Sequence, residues 1–86
     1  MIISIQCEES TSLKSVTYYK NIEDYTGDVF AIFQNNEEYL YRKVHIKDFS
    51  HIINNQFISI GAAFHNHIKR NYTGQKVTKE TESNNA

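Results

Sequence analysis

The chain has 86 residues, 40% of them hydrophobic and 13% aromatic, with a formal net charge of −1. That length fits one domain that buries about 60% of its unfolded surface, and the apolar content excludes a disordered chain. The single cysteine, Cys7, excludes an intramolecular disulfide framework and a cysteine-based zinc site. No apolar run approaches the roughly 20 residues of a bilayer span, and Met1-Ile2-Ile3-Ser4-Ile5 lacks the basic lead-in of a signal peptide. The expected compartment is the cytoplasm, with no membrane partner.

Ile2, Ile3 and Ile5 read as a short strand running into a loop at Glu8-Glu9-Ser10. Ser15 to Tyr19 is β-branched and aromatic, a second strand, and Asn21 to Gly27 is polar and glycine-terminated, a loop. Asp28 to Gln34 is the strongest strand signal, followed after Asn35-Asn36 by Glu37 to Val44. Asparagine tolerates positive φ, so a two-residue Asn-Asn hairpin loop is expected. It would set Ile32 opposite Tyr39 and Phe30 opposite Tyr41. One face would then carry Phe30, Ile32, Tyr39 and Tyr41, and the other Val29, Ala31, Phe33, Leu40 and Arg42. With apolar residues on both faces, the second needs covering by helices, another chain or a ligand.

Phe49, Ile52, Ile53 and Phe57 space an apolar stripe for a helix with Asp48 as N-cap. Ile60, Phe64, Ile68 and Tyr72 space a second, with Ser59 as cap and with His65, Asn66, Lys69 and Arg70 on its opposite side. Residues 1–72 form one domain, and 73–86, almost without apolar residues, is expected to be a flexible polar tail. The class is α+β: a three- to four-stranded antiparallel meander with two short C-terminal helices on one face.

Charge divides along the chain. Residues 1–41 carry seven acidic groups against two basic ones, a net −5, and residues 42–79 carry seven basic groups against Asp48, a net +6. Such a layout either steers an anionic partner to the basic end or is ordinary solvated surface.

Little supports catalysis. His65 and His67, two apart, point about 200° apart on a helix, and His45 and His51 have no ligand at metal spacing. The three glycines, Gly27, Gly61 and Gly74, are too scattered for a phosphate loop. No enzyme activity, metal or cofactor is expected. Tyr39-Leu40-Tyr41-Arg42-Lys43 interleaves rings with cations, the combination by which sheets stack bases and neutralise phosphate. The alternative is that both rings pack beneath the helices.

These residues also resemble a known family. Ser12 to Tyr19, the central Tyr39-Leu40-Tyr41, and Ser59-Ile60-Gly61-Ala62-Ala63-Phe64 with Ile68, Lys69 and Tyr72 follow the order of the KTSC domain, a module at the C-terminus of some lysine–tRNA synthetases and in stand-alone bacterial and phage proteins. The resemblance covers roughly residues 12–77. His45 stands where the family usually has proline, His65 where asparagine often follows phenylalanine, and the stretch between Val44 and Ser59 is about two residues longer. The resemblance implies a non-catalytic module that binds RNA or nucleotides. Ligand contacts are expected from Tyr39, Tyr41, Arg42, Lys43, His65, Lys69 and Arg70. A second expectation is a homo-oligomeric, phage-type inhibitor or sponge that sequesters a signalling nucleotide or blocks a host protein. Burying the second sheet face against a sister subunit motivates it.

Overall fold

A computed structural model describes residues 1–7, 12–54 and 59–78. Five strands, β1 (Ile2–Gln6), β2 (Leu13–Lys20), β3 (Thr26–Phe33), β4 (Glu38–His45) and β5 (Gly74–Val77), form one antiparallel sheet in chain order. Two helices, α1 (Ile46–Ile53) and α2 (Ile60–Phe64), lie between β4 and β5, and α2 runs on into a π-helical turn over His65–Lys69. The class is α+β, with one strand more than expected. That strand replaces the start of the expected tail: Gly74 to Val77 pairs along β4 from Tyr41 to Glu38. Residues 79–86 of that tail and Phe57 of the expected first stripe lie outside the described residues. Among the described residues, no helix is long and apolar enough to cross a membrane.

The β3–β4 hairpin departs from the expected register. Asn36 N–H donates to Phe33 O (2.8 Å) and Phe33 N–H to Glu37 O (2.9 Å), and Asn36 takes a φ of 68°. The loop is therefore three residues, Gln34-Asn35-Asn36, a tight turn closed by one left-handed asparagine rather than two. The extra residue shifts the pairing by one: Ala31 lies opposite Tyr39, Phe30 opposite Leu40 and Ile32 opposite Glu38. Since side chains alternate, a one-residue shift exchanges faces. Tyr39 and Tyr41 accordingly join Val29, Ala31 and Phe33, while Phe30, Ile32 and Leu40 face away.

Both helices cover the tyrosine face. Its core joins Leu13, Val16, Tyr18, Val29, Ala31, Tyr41 and Val44 of the sheet to Phe49, Ile52, Ala63, Phe64 and Ile68 of the helical layer, with Cys7 at the margin. Tyr18 stacks on Phe49 with ring centroids 4.5 Å apart and planes 15° from parallel, fixing α1 over β2. The second helical stripe packs as its spacing requires, and Ser59 Oγ accepts from Ala62 N–H at 3.0 Å. The first is narrower than expected: Phe49 and Ile52 are buried, and Ile53 is 48% exposed. Asp48 is not its cap. The helix starts two residues earlier, where His45 Nδ1 accepts from Lys47 N–H at 3.0 Å. Asp48 instead accepts from the Tyr72 hydroxyl at 2.5 Å, and that hydroxyl receives the His45 N–H at 3.1 Å, tying the chain after α2 to the start of α1.

Two glycines make these contacts possible. A Cβ on Gly27 would lie 2.5 Å from Tyr19 O and 2.7 Å from Lys20 Cα, both backbone atoms unable to retreat cheaply. A Cβ on Gly74 would lie 2.6 Å from the Tyr41 ring, which crosses β5 at that point. Gly27→Ala should therefore cost about 1–3 kcal/mol of stability, the usual penalty of overpacking, read as a lower urea midpoint at unchanged slope.

Tyr18 gives a second handle. It is fully buried, and its hydroxyl donates to Val44 O at 2.8 Å. Burial, reinforced by Tyr72 and the carboxylates of Asp24, Asp28 and Asp48, pushes its pKa up to about 12. The unfolded phenol ionises near pH 10, so the folded state holds the proton longer. This contribution is complete below about pH 10 and is lost as pH rises through about 12, by about 1–3 kcal/mol. Urea titrations across that window should show the fall in the parent chain and a shallower one in Tyr18→Phe. At neutral pH that variant should already be about 1–2 kcal/mol less stable, having lost a buried hydrogen bond.

Candidate ligand cleft

The corrected register creates a cleft where the β3–β4 hairpin tip meets the π-helical turn. It encloses about 470 Å³ and is lined by Ser12, Phe33, Gln34, Asn35, Glu37, Tyr39, Tyr41 and Lys69. Three rings form its apolar wall. Phe33 meets Tyr39 edge-on, with centroids 5.5 Å apart and planes at 87°, and Phe64 likewise at 5.9 Å and 75°. Tyr41 meets Phe64 at 5.5 Å and 81°. Edge-to-face contacts of this kind favour the positive rim of one ring on the negative face of another, and they hold the wall in one arrangement.

The charged rim comes from separate elements. Lys69 Nζ sits over the Phe33 ring, 5.8 Å from its centroid, a cation held against an aromatic face. It belongs to the π-helical turn, where Arg70 N–H donates to His65 O at 3.1 Å, five residues back. Such widened turns are rare and recur at functional sites. On the other side, Glu37 bonds Lys76 of β5 at 3.1 Å. The lysine beside it holds the Glu37 carboxyl below the usual carboxylate range, and Glu37 raises Lys76 in turn. The hairpin tip itself is pinned: Gln34 N–H donates to Ser12 O (2.8 Å), Gln34 Nε2 to Leu13 O (3.0 Å) and Lys14 Nζ to Asn36 Oδ1 (2.6 Å).

Of the seven residues expected to contact a ligand, three meet here: Tyr39, Tyr41 and Lys69. Tyr39 is half-buried and offers ring surface. Tyr41 is 3% exposed and packs as a core residue at the cleft floor, and burial pushes its phenol pKa up. Arg42 and Lys43 are elsewhere. They form a bulge opposite Asp28, with Lys43 at a φ of 57°, so Val44 rather than Lys43 follows the tyrosines onto the covered face. Arg42 lies 3.9 Å from Asp28 on the uncovered face, and Lys43 N–H donates to Asp28 Oδ1 at 3.3 Å. His65 and Arg70 are exposed and do not line the cleft. The linear charge division is also blunted by folding, since Arg42 and Lys76 of the basic half meet Asp28 and Glu37 of the acidic half. His67 stacks on His51 of α1, with centroids 4.1 Å apart and planes at 15°, and no group of three or more metal-ligating side chains occurs among the described residues.

Sequence reasoning missed Ser12, Phe33, Gln34, Asn35 and Glu37. The signal was present in the asparagine pair: a three-residue loop would have set Phe33 beside Tyr39. No family model, curated protein or solved structure matches the chain.

The packing of the two tyrosines separates their mutational behaviour. Tyr41→Ala should cost about 3–5 kcal/mol, the range for deleting a buried aromatic, which is most of the stability of a domain this size. Tyr39→Ala should cost less than half as much, because part of its ring already contacts solvent. Denaturant midpoints of the two variants measure the difference.

Proposed function

We propose that the protein is a non-catalytic nucleotide-binding module that receives a base, as a free nucleotide or in single-stranded RNA, in the cleft between the hairpin tip and the π-helical turn. The carrying observation is an aromatic wall of Phe33, Tyr39 and Tyr41 with the Lys69 ammonium above it, in a cavity of about 470 Å³. That volume falls in the usual range of small-molecule sites, about 300–1,000 Å³. A planar base gains about 1–3 kcal/mol from each aromatic contact, and an ammonium at the rim meets the attached phosphate. The order of Ser12–Tyr19, Tyr39-Leu40-Tyr41 and Ser59–Phe64, which resembles the KTSC pattern, points to the same class of ligand.

Titration with mononucleotides, cyclic dinucleotides and short RNA oligomers tests this. Lys69→Ala should weaken the tightest ligand about tenfold and flatten its salt dependence between roughly 50 and 200 mM. Tyr39→Ala should weaken it about 5- to 100-fold, and Arg70→Ala should leave it unchanged. Binding lost through Arg42, Lys43 or Arg70 instead would move the site out of the cleft. Failure of every nucleotide to bind the parent chain would end the reading.

A further inference from the structure

The helices cover one face of the sheet, and its reverse sets a cluster of apolar residues, Phe30, Ile32, Leu40 and Val77, among polar ones. Across it run Ser4, Thr17, Phe30, Leu40 and Gln75 in one row, and Gln6, Ser15, Ile32, Glu38 and Val77 in the next. Ser4 and Thr17 hydroxyls lie 3.0 Å apart, as same-face neighbours must. A third row holds Ile2 and Tyr19, 66% and 46% exposed, with Asp28 and Arg42. Phe30, Ile32, Leu40 and Val77 stand outside the main core and, among the described residues, are covered by no helix.

We infer that this face is the contact surface of a two-fold dimer of the chain. Three observations choose a second copy over other occupants. The first is charge. Glu38 and Arg42 sit two residues either side of Leu40 on one strand, so all three share the face. A two-fold axis along the Phe30–Leu40 row, perpendicular to the strands, lays Leu40 on Leu40 and Phe30 on Phe30. It also sets each Arg42 over the Glu38 of the other copy. An axis parallel to the strands would oppose Asp28 to Asp28 if it ran along β3, and Glu38 to Glu38 if it ran along β4. Isologous contacts pair residue i with j and j with i, and this strand satisfies that condition by itself.

The second observation is area. With strands about 4.8 Å apart and rising about 3.4 Å per residue, the parts of the sheet face that overlap about this axis span about 440 Å² in each copy, so two copies bury about 900 Å². That lies just under the roughly 1,000 Å² of a stable specific interface and fits a weak, reversible one. Two such faces pack about 10 Å apart with strands near 30° to one another, within reach of a glutamate and an arginine side chain. The third is composition: residues 79–86, Lys-Glu-Thr-Glu-Ser-Asn-Asn-Ala, carry no large apolar side chain with which to cover the face. The dimer leaves the cleft open on the opposite side of each sheet, so this inference stands independently of nucleotide binding.

Light scattering and sedimentation of the full chain at about 100 μM should give twice the 10.1 kDa chain mass. Leu40→Asp should return the single-chain mass with its far-UV circular dichroism retained. Glu38→Arg and Arg42→Glu are changes on the uncovered face that test the axis without touching the core. Each alone should weaken the dimer about tenfold or more by opposing like charges, and the two together should restore it to within about threefold. A single-chain mass for the parent at that concentration would overturn the dimer. So would a dimer indifferent to Leu40→Asp, or a double charge exchange no tighter than its single parents.

Discussion

The backbone of Asn36 decides what each face of this sheet is for. One left-handed residue at the end of a three-residue loop sets the β3–β4 pairing, and the pairing assigns every alternate side chain on both strands. Tyr39 and Tyr41 go inward with Val29, Ala31 and Phe33, while Phe30, Ile32 and Leu40 go outward. The helical layer packs on the face so defined: Phe49 stacks on Tyr18, Phe64 meets Phe33 and Tyr41, and the Tyr41 contact exists only in that register.

The cleft is a by-product of the same decision. Phe33 and Tyr39 converge at the hairpin tip because they share a face, and the π-helical turn brings Lys69 over them from the helical layer. Rings and cation come from elements 28 to 36 positions apart in the chain, which is why adjacent residues in the Tyr39–Lys43 run mislead. Arg42 and Lys43, next to Tyr41 in sequence, are turned away by the bulge at Asp28.

Much of the architecture was legible beforehand. β-branched and aromatic clusters marked the first four strands, and the Ile60–Phe64–Ile68–Tyr72 spacing marked the second helical stripe, because these signals are local and strong. β5 was invisible: Gly74-Gln75-Lys76-Val77 has no strand pattern of its own and pairs because Tyr41 lies across a residue without a side chain. The start of α1 was misplaced because His45 caps through a ring nitrogen, a rarer choice than the aspartate three residues on. Of the residues expected at a site, Tyr39, Tyr41 and Lys69 line the cleft, but their grouping depended on a loop one residue longer than assumed. Two asparagines in a row permit either length, and only the packing of the rings behind them selects between the two.

Cys7 closes β1, donating its N–H to Lys14 O at 3.0 Å, with 3% of its surface exposed and its thiol pKa raised by burial. It is the chain's only sulfhydryl. Nothing else can react with a disulfide reagent, so the labelling rate of the native protein times the fraying of the first strand from Lys14. The domain thus carries a clock for breathing at one margin of its sheet, readable without adding a probe.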